Sequence, residues 1–571
     1  MAKANRANLL EIKRKKKLAV VDVWQSRAAR MLVLLLLCVH PLYMNAQRYG
    51  RLTQQKFEFF ALCVCVTLVA VFIIWLFRLL GESRLLPMGK PSVADWALLG
   101  FAAVTLVSAL VSPFKELVDV WLGITHPGGR YDGAITQLLY VSAFFIISRW
   151  YKPRELDFVI FSISAMLVSL IGILQFYGLD FLGLWPNHIE AYYVENFYDL
   201  IFRSTIGNIN VVSTYMCVAI LLCGFLYVKV ASKWRFVWLA GSALSFWMLV
   251  IGSSFSGMVG TAAATFLAVP FIIENRKVLG RFLILIASWA MAFALQMLFY
   301  NVIILGTGSV LVLALAFTMA GLLSAGGAVL VKLGTKRAID DPKVADSGGI
   351  ARWKLGVILL AAAIVVGFVG VELLGRSENT GPIYQAREIL HGNIDDTFGT
   401  NRVFIWRNAL AAFPQHPIIG SGPDTFGLAF PDEAQWYYGE MYDKAHNEYI
   451  QILICQCILG FLCYLVFLGD NFRKAVVKAL RNPMLMAVLA AFVGYCVQAF
   501  FNISTPIASH MLWVCAGILA CKRFREHLPP VDDTPTELQP VCIPPQDDAT
   551  SETVTKDDYY GKSQTRRPTG Q

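Results

Sequence analysis

The sequence predicts an all-α fold: a polytopic transmembrane bundle of about 14 spans with a large, partly helical extracytoplasmic loop. Three observations predict it. Hydrophobic residues make up 57% of the 571 residues and charged residues only 15%, and the mean hydropathy of +0.57 lies outside the ordinary soluble range. Apolar windows long enough to cross roughly 30 Å of hydrocarbon recur along the chain. Lysine and arginine cluster in alternate connections between those windows, the pattern that short cytoplasmic loops retain.

In order, the predicted spans are residues 31–45, 59–77, 94–111, 134–149, 157–177, 211–228, 236–252, 256–273, 282–300, 303–331, 355–373, 447–468, 485–502 and 506–521. "KRKKK" precedes the first span, and Arg78, Arg84 and Lys90 follow the second. The alternation continues with Arg149, Lys152 and Arg154, then Lys229, Lys233 and Arg235, then Arg276, Lys277 and Arg281, then Lys332, Lys336 and Arg337, and last Arg473, Lys474, Lys478 and Arg481. Those connections are expected in the cytoplasm, with both termini, so the chain is expected to be a multi-pass membrane protein whose residues 374–446 lie outside. Domain limits follow: a basic cytoplasmic segment at 1–30, spans 1–11 within 31–373, the external loop at 374–446, spans 12–14 within 447–522, and a polar tail at 523–571 expected to be disordered. A long charged leader and the lack of a small-x-small cleavage site make the first span a retained helix rather than a signal peptide.

The net charge of +10 comes mostly from the cytoplasmic connections, so it reports topology and not a nucleic-acid partner. Of the twelve cysteines all but Cys542 lie in or beside apolar segments, which argues against a disulfide framework. Few ionisable residues interrupt the spans, chiefly His40 and His510, and no internal repeat stands out; an ion-driven transporter ordinarily needs more intramembrane charge. Attention therefore falls on the outer connections.

The largest holds "NRVFIWRNALAAFPQHPIIGSGPDTFG" at 401–427. Thr400 or Asn401 suits a helix cap, Val403, Trp406, Leu410 and Phe413 form an apolar stripe, and Pro414 and Pro417 end the helix. Arg402 and Arg407 straddle the stripe. Two readings fit: planar guanidinium groups gripping the phosphates of a lipid, or arginines snorkelling from an interfacial helix. The following "GSGPDTFG" is a turn-rich loop without the Lys-Ser/Thr pair of a nucleotide-binding loop.

His446, in "YDKAHNEYIQIL" at 442–453, opens the next span. An unperturbed imidazole titrates near pH 6.5, so at a membrane boundary it suits proton uptake from a hydroxyl, with Asn447 and Glu448 placed to orient the ring or cap the helix. A structural histidine is the plainer alternative. "GGRYDG" at 128–133 sets Arg130 among glycines, and "FRSTIGNIN" at 202–210 sets Arg203 beside Gly207, Asn208 and Asn210; both also read as ordinary turns, with the asparagines capping the next helix.

Three blocks, "FRSTIGNIN" at 202–210, "RVFIWRNALAAFPQHPIIGSGPDTFG" at 402–427 and "AHNEYIQILICQCILGFLCYL" at 445–465, resemble the O-antigen ligase and polymerase family of bacterial membrane proteins. "WLGITHPGGRYDG" at 121–133 is similar to a first outer loop of family members. The resemblance implies a fold akin to the all-helical glycosyltransferases that use lipid-linked sugars. It also implies transfer of a glycan from a polyprenyl-diphosphate carrier to an acceptor hydroxyl outside the membrane, as a ligase or a polymerase. Carried over, it makes His446 the catalytic base and Arg402 and Arg203 contacts of the diphosphate, with Arg407 and Arg130 as weaker assignments and Asn208 and Asn210 as further substrate contacts.

One position departs from the pattern: many members carry a Ser-Arg pair at the start of a middle span, where this chain has "GSSFSGMVG" at 252–260 and no arginine beside Ser256. The outer loops lack an Asp-x-Asp motif, since Asp395 and Asp396 are adjacent, so arginine is expected to neutralise the leaving diphosphate with no metal and no other cofactor. The expected partners are the lipid-linked glycan donor, a glycan, lipid or other hydroxyl-bearing acceptor, and membrane lipids. A lipid-linked oligosaccharide flippase and an inactive envelope scaffold are the competing readings. The gathering of polar residues on one side favours transfer.

Overall fold

Apolar runs surrounded by lipid must satisfy their backbone groups internally, and helix does so within a single segment. The structure, a computed structural model, describes residues 21–521 apart from 22, 81–90, 125–128, 186–201, 253, 274, 305, 307–309, 341–356, 359–360, 362–363, 366, 374, 377–380, 436 and 439–440. Most of the basic N-terminal segment and the tail at 523–571 lie outside the described residues.

The helices are α1 (residues 23–34, continued by a π-helical turn Leu35–Val39), α2 (Leu52–Leu80), α3 (Val93–Val111), α4 (Ala134–Trp150) and α5 (Glu155–Phe176). A two-stranded antiparallel pair, β1 (Phe202–Arg203) with β2 (Gly207–Asn208), leads into α6 (Ile209–Lys229). There follow α7 (Arg235–Gly252), α8 (Phe255–Ile272), α9 (Arg276–Gln296, continued by the π-helical Met297–Ile304) and α10 (Val310–Asp340). The long loop contributes α11 (Gly381–Leu390), α12 (Phe398–Ala412) and the single turn α13 (Phe426–Ala429); α14 (Glu448–Ala479), α15 (Pro483–Gln498) and α16 (His510–Ala520) complete the chain. Among the described residues ten helices are long and apolar enough to cross a membrane, and Ala134–Trp150 and His510–Ala520 are shorter apolar helices. Two further predicted windows are the helical stretch ending at Val39 and residues 355–373, described only in part. The chain is an all-α polytopic membrane protein.

The bundle is organised around α6, which is buried from Val211 to Val228 and packs against α7, α8 and α15. Because successive spans run in alternate directions, the starts of α2, α4, α6, α14 and α16 and the ends of α3, α5, α7 and α15 gather at one end, here called the His446 end. The opposite end carries the ion pairs Arg30 to Asp157 at 2.6 Å and Arg149 to Asp95 at 2.7 Å, which join different helices, and Arg473 to Asp470 at 2.9 Å within α14. His40 and His510, far apart in sequence, meet with ring centroids 4.3 Å apart. Beside them the buried Lys56 donates to the His40 and Pro41 carbonyls at 2.7 and 2.9 Å, supplying donors that the carbonyl end of α1 lacks. This cluster is architecture, and Lys56 was not singled out by the sequence.

Helix α14 is broken at Gln456 (φ −124°) and Cys457 (φ +60°), and the reason lies in the long loop. Ser421 N and Gly422 N donate to the Ile454 and Cys455 carbonyls at 3.0 Å each, and Ser108 Oγ also donates to Cys455 O at 2.9 Å. The P-x-x-G-x-G stretch, Pro417 to Gly422, is thus a backbone plug seated in the break of a membrane helix. Gly420 (φ +81°) and Gly422 (φ +117°) permit it: a Cβ on Gly420 would lie 2.4 Å from Cys455 O.

Candidate active site

His446 is held in a left-handed conformation, φ +49°, which an ordinary residue adopts only when its surroundings over-determine it. The restraints come from both sides. Trp406 Nε1 donates to Ala445 O at 3.0 Å, and Ala445 N donates to Gln451 Oε1 at 3.0 Å. Asn447 caps α14, its Oδ1 accepting from Tyr449 N and Ile450 N at 3.0 and 3.1 Å. Of the two roles open to Asn447 and Glu448, capping thus falls to Asn447. Glu448 turns into the bundle, where Tyr464 Oη and Tyr495 Oη donate to its carboxylate at 2.6 and 3.1 Å.

The part of α12 with regular helical angles begins at Arg402, because Gly399, Thr400 and Asn401 all have left-handed angles. The regular helix starts close to where the sequence placed it, but the expected cap by Thr400 or Asn401 is corrected: no side chain among the described residues caps it, and Thr400 Oγ1 instead receives the Arg402 guanidinium at 2.6 Å, with Gly399 O also accepting from Nη1. The expected apolar stripe is corrected. The buried residues are Phe404, Ile405, Ala409 and Ala412, while Leu410 is 49% exposed, because the helix packs on Phe426, Phe430, Tyr442 and Ala445 rather than only on a membrane surface. Trp406 keeps its inward place at the edge of that cluster.

The ionic surroundings of His446 come from three stretches of chain. Burial and the Arg402 charge lower its pKa from the usual 6.5 to about 4, with Arg130 adding to the effect and Asp443 opposing it. The imidazole is therefore neutral at neutral pH, and its Nδ1 has no hydrogen-bond partner among the described residues. Arg130 Nε holds Asp443 at 2.6 Å. Although burial alone would raise the Asp443 pKa, Arg130 brings it below the usual carboxylate range.

Next to this pair, Lys444 is buried between Asp424 (Oδ1 at 2.5 Å) and Asp132 (Oδ2 at 3.4 Å). Burial favours the neutral amine, but the two carboxylates outweigh it and hold the Lys444 pKa above its ordinary value. Burial in turn raises both aspartates, with Lys444 opposing. Gly123, at φ +72°, lets the first loop close over Asp424: a Cβ there would lie 2.4 Å from Asp424 Oδ2. A cavity of about 20 Å³, room for about one water, lies below the clamp and is lined by Asp132, Asp424, Glu448, Gln456 and Ser504 among others.

The remaining predicted residues sit as follows. Arg407 is mostly exposed and pairs with Asp396. Arg203 stacks against Trp185 and Phe176, its guanidinium carbon 5.4 and 5.9 Å from the ring centroids. Asn208 caps α6 by accepting from Asn210 N at 2.9 Å. Asn210 Oδ1 accepts from Ser254 Oγ at 3.0 Å, and its carbonyl accepts from Asn502 Nδ2 at 2.6 Å. Ser256 belongs to the same hydroxyl network, 2.9 Å from Ser213 Oγ, and its neighbours in the chain are Phe255 and Gly257. The structure thus brings His446, Arg402 and Arg130 into one electrostatic neighbourhood and gives Asn208 and Asn210 framework bonds. Asp132, Asp424, Asp443 and Lys444 were missed as site residues, although every one of them falls inside a quoted motif. Among the described residues no group of three or more His, Cys, Asp and Glu side chains is placed to hold a metal ion.

Residues 303–465 match the family described as O-antigen ligase. The expected family is thereby shown over this segment. The O-antigen ligase segment contains Arg402, Arg407, the Gly420–Gly422 plug, Lys444 and His446, whereas Arg130, Arg203, Asn208 and Asn210 lie ahead of it. It supports a glycan-transferring membrane enzyme in general. No curated protein and no solved structure matches the chain.

Proposed function

We propose that this protein transfers a glycan from a polyprenyl-diphosphate carrier to an acceptor hydroxyl at the outer face of the bacterial cytoplasmic membrane. In this reading the His446 end faces outward, since the basic connections lie at the other end. The observation that carries it is the neutral His446 imidazole beside Arg402 and Arg130, within the O-antigen ligase segment or next to it. His446 takes the proton of the acceptor hydroxyl as that oxygen attacks the anomeric carbon. The bond from that carbon to the carrier phosphate breaks, and the diphosphate leaves with its charge offset by Arg402, with Arg203, Arg407 and Arg130 as further contacts and Asn208 and Asn210 bordering the donor.

Charge compensation links the two roles. A free imidazole lowered to about 4 is a weak base, but a bound diphosphate offsets the guanidinium charge that lowers it, so basicity rises when the donor is present. Arginine suffices for the leaving group, and the reaction needs no divalent ion on this account.

The test is purified protein in lipid nanodiscs supplied with the lipid-linked glycan and candidate acceptors. A ladder of products indicates a polymerase, and a single shifted acceptor indicates a ligase. Movement of the intact donor across a vesicle membrane without any transfer would replace this reading by a flippase.

A further inference from the structure

At the His446 end a second hollow opens between α1 and α2. It has a volume of about 400 Å³ and is lined by Asn45, Ala46, Gln47, Arg51, Gln54, Gln55 and Glu58. That size falls in the range of small-molecule sites, yet the lining is almost wholly polar. Helix α2 accounts for the position: at 29 residues it is longer than the roughly 20 that span the hydrocarbon, so its polar first turns stand clear of the apolar layer.

Part of the lining is fixed by its own bonds. Gln55 Nε2 donates to Arg48 O at 2.6 Å, Gln55 Oε1 accepts from Asn45 N at 2.5 Å, and Gln54 Nε2 donates to Glu58 Oε1 at 2.8 Å. The side chains of Gln47 and Arg51 make no hydrogen bond or ion pair to another described residue, so donors and acceptors stay open on a preformed frame. The charge is balanced, one arginine against one glutamate. This contrasts with the surroundings of His446, where Arg402 and Arg130 suit an anion.

The hollow is connected to that neighbourhood through one residue. Phe57 stacks on Tyr131 with centroids 5.4 Å apart, and Glu58 and Arg51 both act electrostatically on the Tyr131 hydroxyl. Tyr131, itself at φ +53°, adjoins Arg130, which holds Asp443 at 2.6 Å. Tyr131 thus stands between the charged lining of the hollow and the arginine that acts on His446.

We propose that this hollow is a saccharide subsite that takes an uncharged, hydroxyl-rich stretch of the acceptor glycan. Amides both donate and accept, as sugar hydroxyls do, so four of them around one cavity match a polyol more closely than a phosphate or a peptide cation. The balanced Arg51 and Glu58 add stronger, charge-assisted bonds without favouring a net charge. This rests on the glycan-transfer reading and names the acceptor side of it.

Saturation-transfer NMR on the full chain in nanodiscs tests the assignment, with the neutral glycans among the candidate acceptors as probes and a carboxylated form of each for comparison. The neutral glycan is expected to receive saturation and to bind no more weakly than the carboxylated form. Gln47→Ala combined with Gln54→Ala is expected to weaken it about tenfold, the loss of one or two net hydrogen bonds. Absence of saturation, tighter binding of the carboxylated form, or binding indifferent to the double substitution overturns the subsite; a lipid headgroup in the hollow would give the last result. Transfer assays on the same preparations separate the two claims. His446-dependent transfer with glycan binding indifferent to Gln47 and Gln54 removes only the subsite, whereas glycan binding without transfer to any acceptor removes the enzymatic reading.

Discussion

Lys444 Nζ lies 2.5 Å from Asp424 Oδ1 and 3.4 Å from Asp132 Oδ2, so one buried amine joins the loop before α4 to the loop before α14. Because Lys444 stands two residues ahead of His446, the clamp also sets where the strained histidine backbone can lie. Removing the amine leaves two buried carboxylates without their counter-charge. Lys444→Met is expected to cost about 3–5 kcal/mol and to be read as lost membrane abundance or a lowered unfolding temperature. Adding Asp132→Asn and Asp424→Asn should recover much of that stability. A single variant as stable as the parent would show that the clamp does not hold the loops together.

The spans were legible because hydropathy is summed over about 20 residues and survives local error. Pairings across the long loop were not. Lys444 and Asp132 are 312 residues apart, and nothing in "YDKAHN" or "GGRYDG" marks one as the partner of the other. The Gly420–Gly422 stretch read as a turn, correctly as far as local chemistry goes, but its purpose depends on a break at Gln456 that an uninterrupted apolar run conceals. The stripe of α12 was displaced for a related reason: periodicity cannot choose between facing lipid and facing Phe426 and Tyr442 when apolar residues border both sides.

Orientation is open to chemical labelling. With positive charge held in the cytoplasm, cysteines introduced at residues 385–395 should react with an impermeant reagent in intact cells, and those at 335–350 only after the membrane is opened. The reverse pattern would turn the His446 end inward and remove the acceptor route from outside.

Transfer should persist after exhaustive chelation, because guanidinium groups carry the charge compensation in the proposed reaction. Activity abolished by chelation and restored by Mg²⁺ or Mn²⁺ would contradict this. Under the same scheme Arg402→Lys should be a poor enzyme: lysine keeps the charge but lacks the planar fork that can hold two phosphate oxygens and that now meets Thr400 Oγ1.

As general base His446 should contribute roughly 10²- to 10⁴-fold to the rate. His446→Ala should insert normally, bind donor and lose most turnover, and His446→Gln, which keeps a hydrogen bond but cannot take up the proton, should fail similarly. Comparison of abundance, donor binding and rate decides among the roles. Near-parental transfer by the glutamine variant would make His446 an orienting group, and lost abundance would make it structural.

The pH profile tests the electrostatic link between His446 and Arg402. Burial and the Arg402 charge hold the free imidazole at about 4, below its usual 6.5, so the base is already deprotonated across the neutral range. Since kcat/KM reports groups of the free enzyme, its acid limb should stay flat from neutrality down to about pH 5 and fall only as the pH nears 4. Replacing Arg402 by Gln removes a positive charge, which makes protonation easier and raises the imidazole pKa. The acid limb of Arg402→Gln should therefore move upward toward pH 6.5, in addition to any loss in plateau rate from weaker donor binding. A parental limb centred near 6.5, or one that Arg402→Gln leaves in place, would separate the two residues and dissolve the coupling between donor binding and base strength.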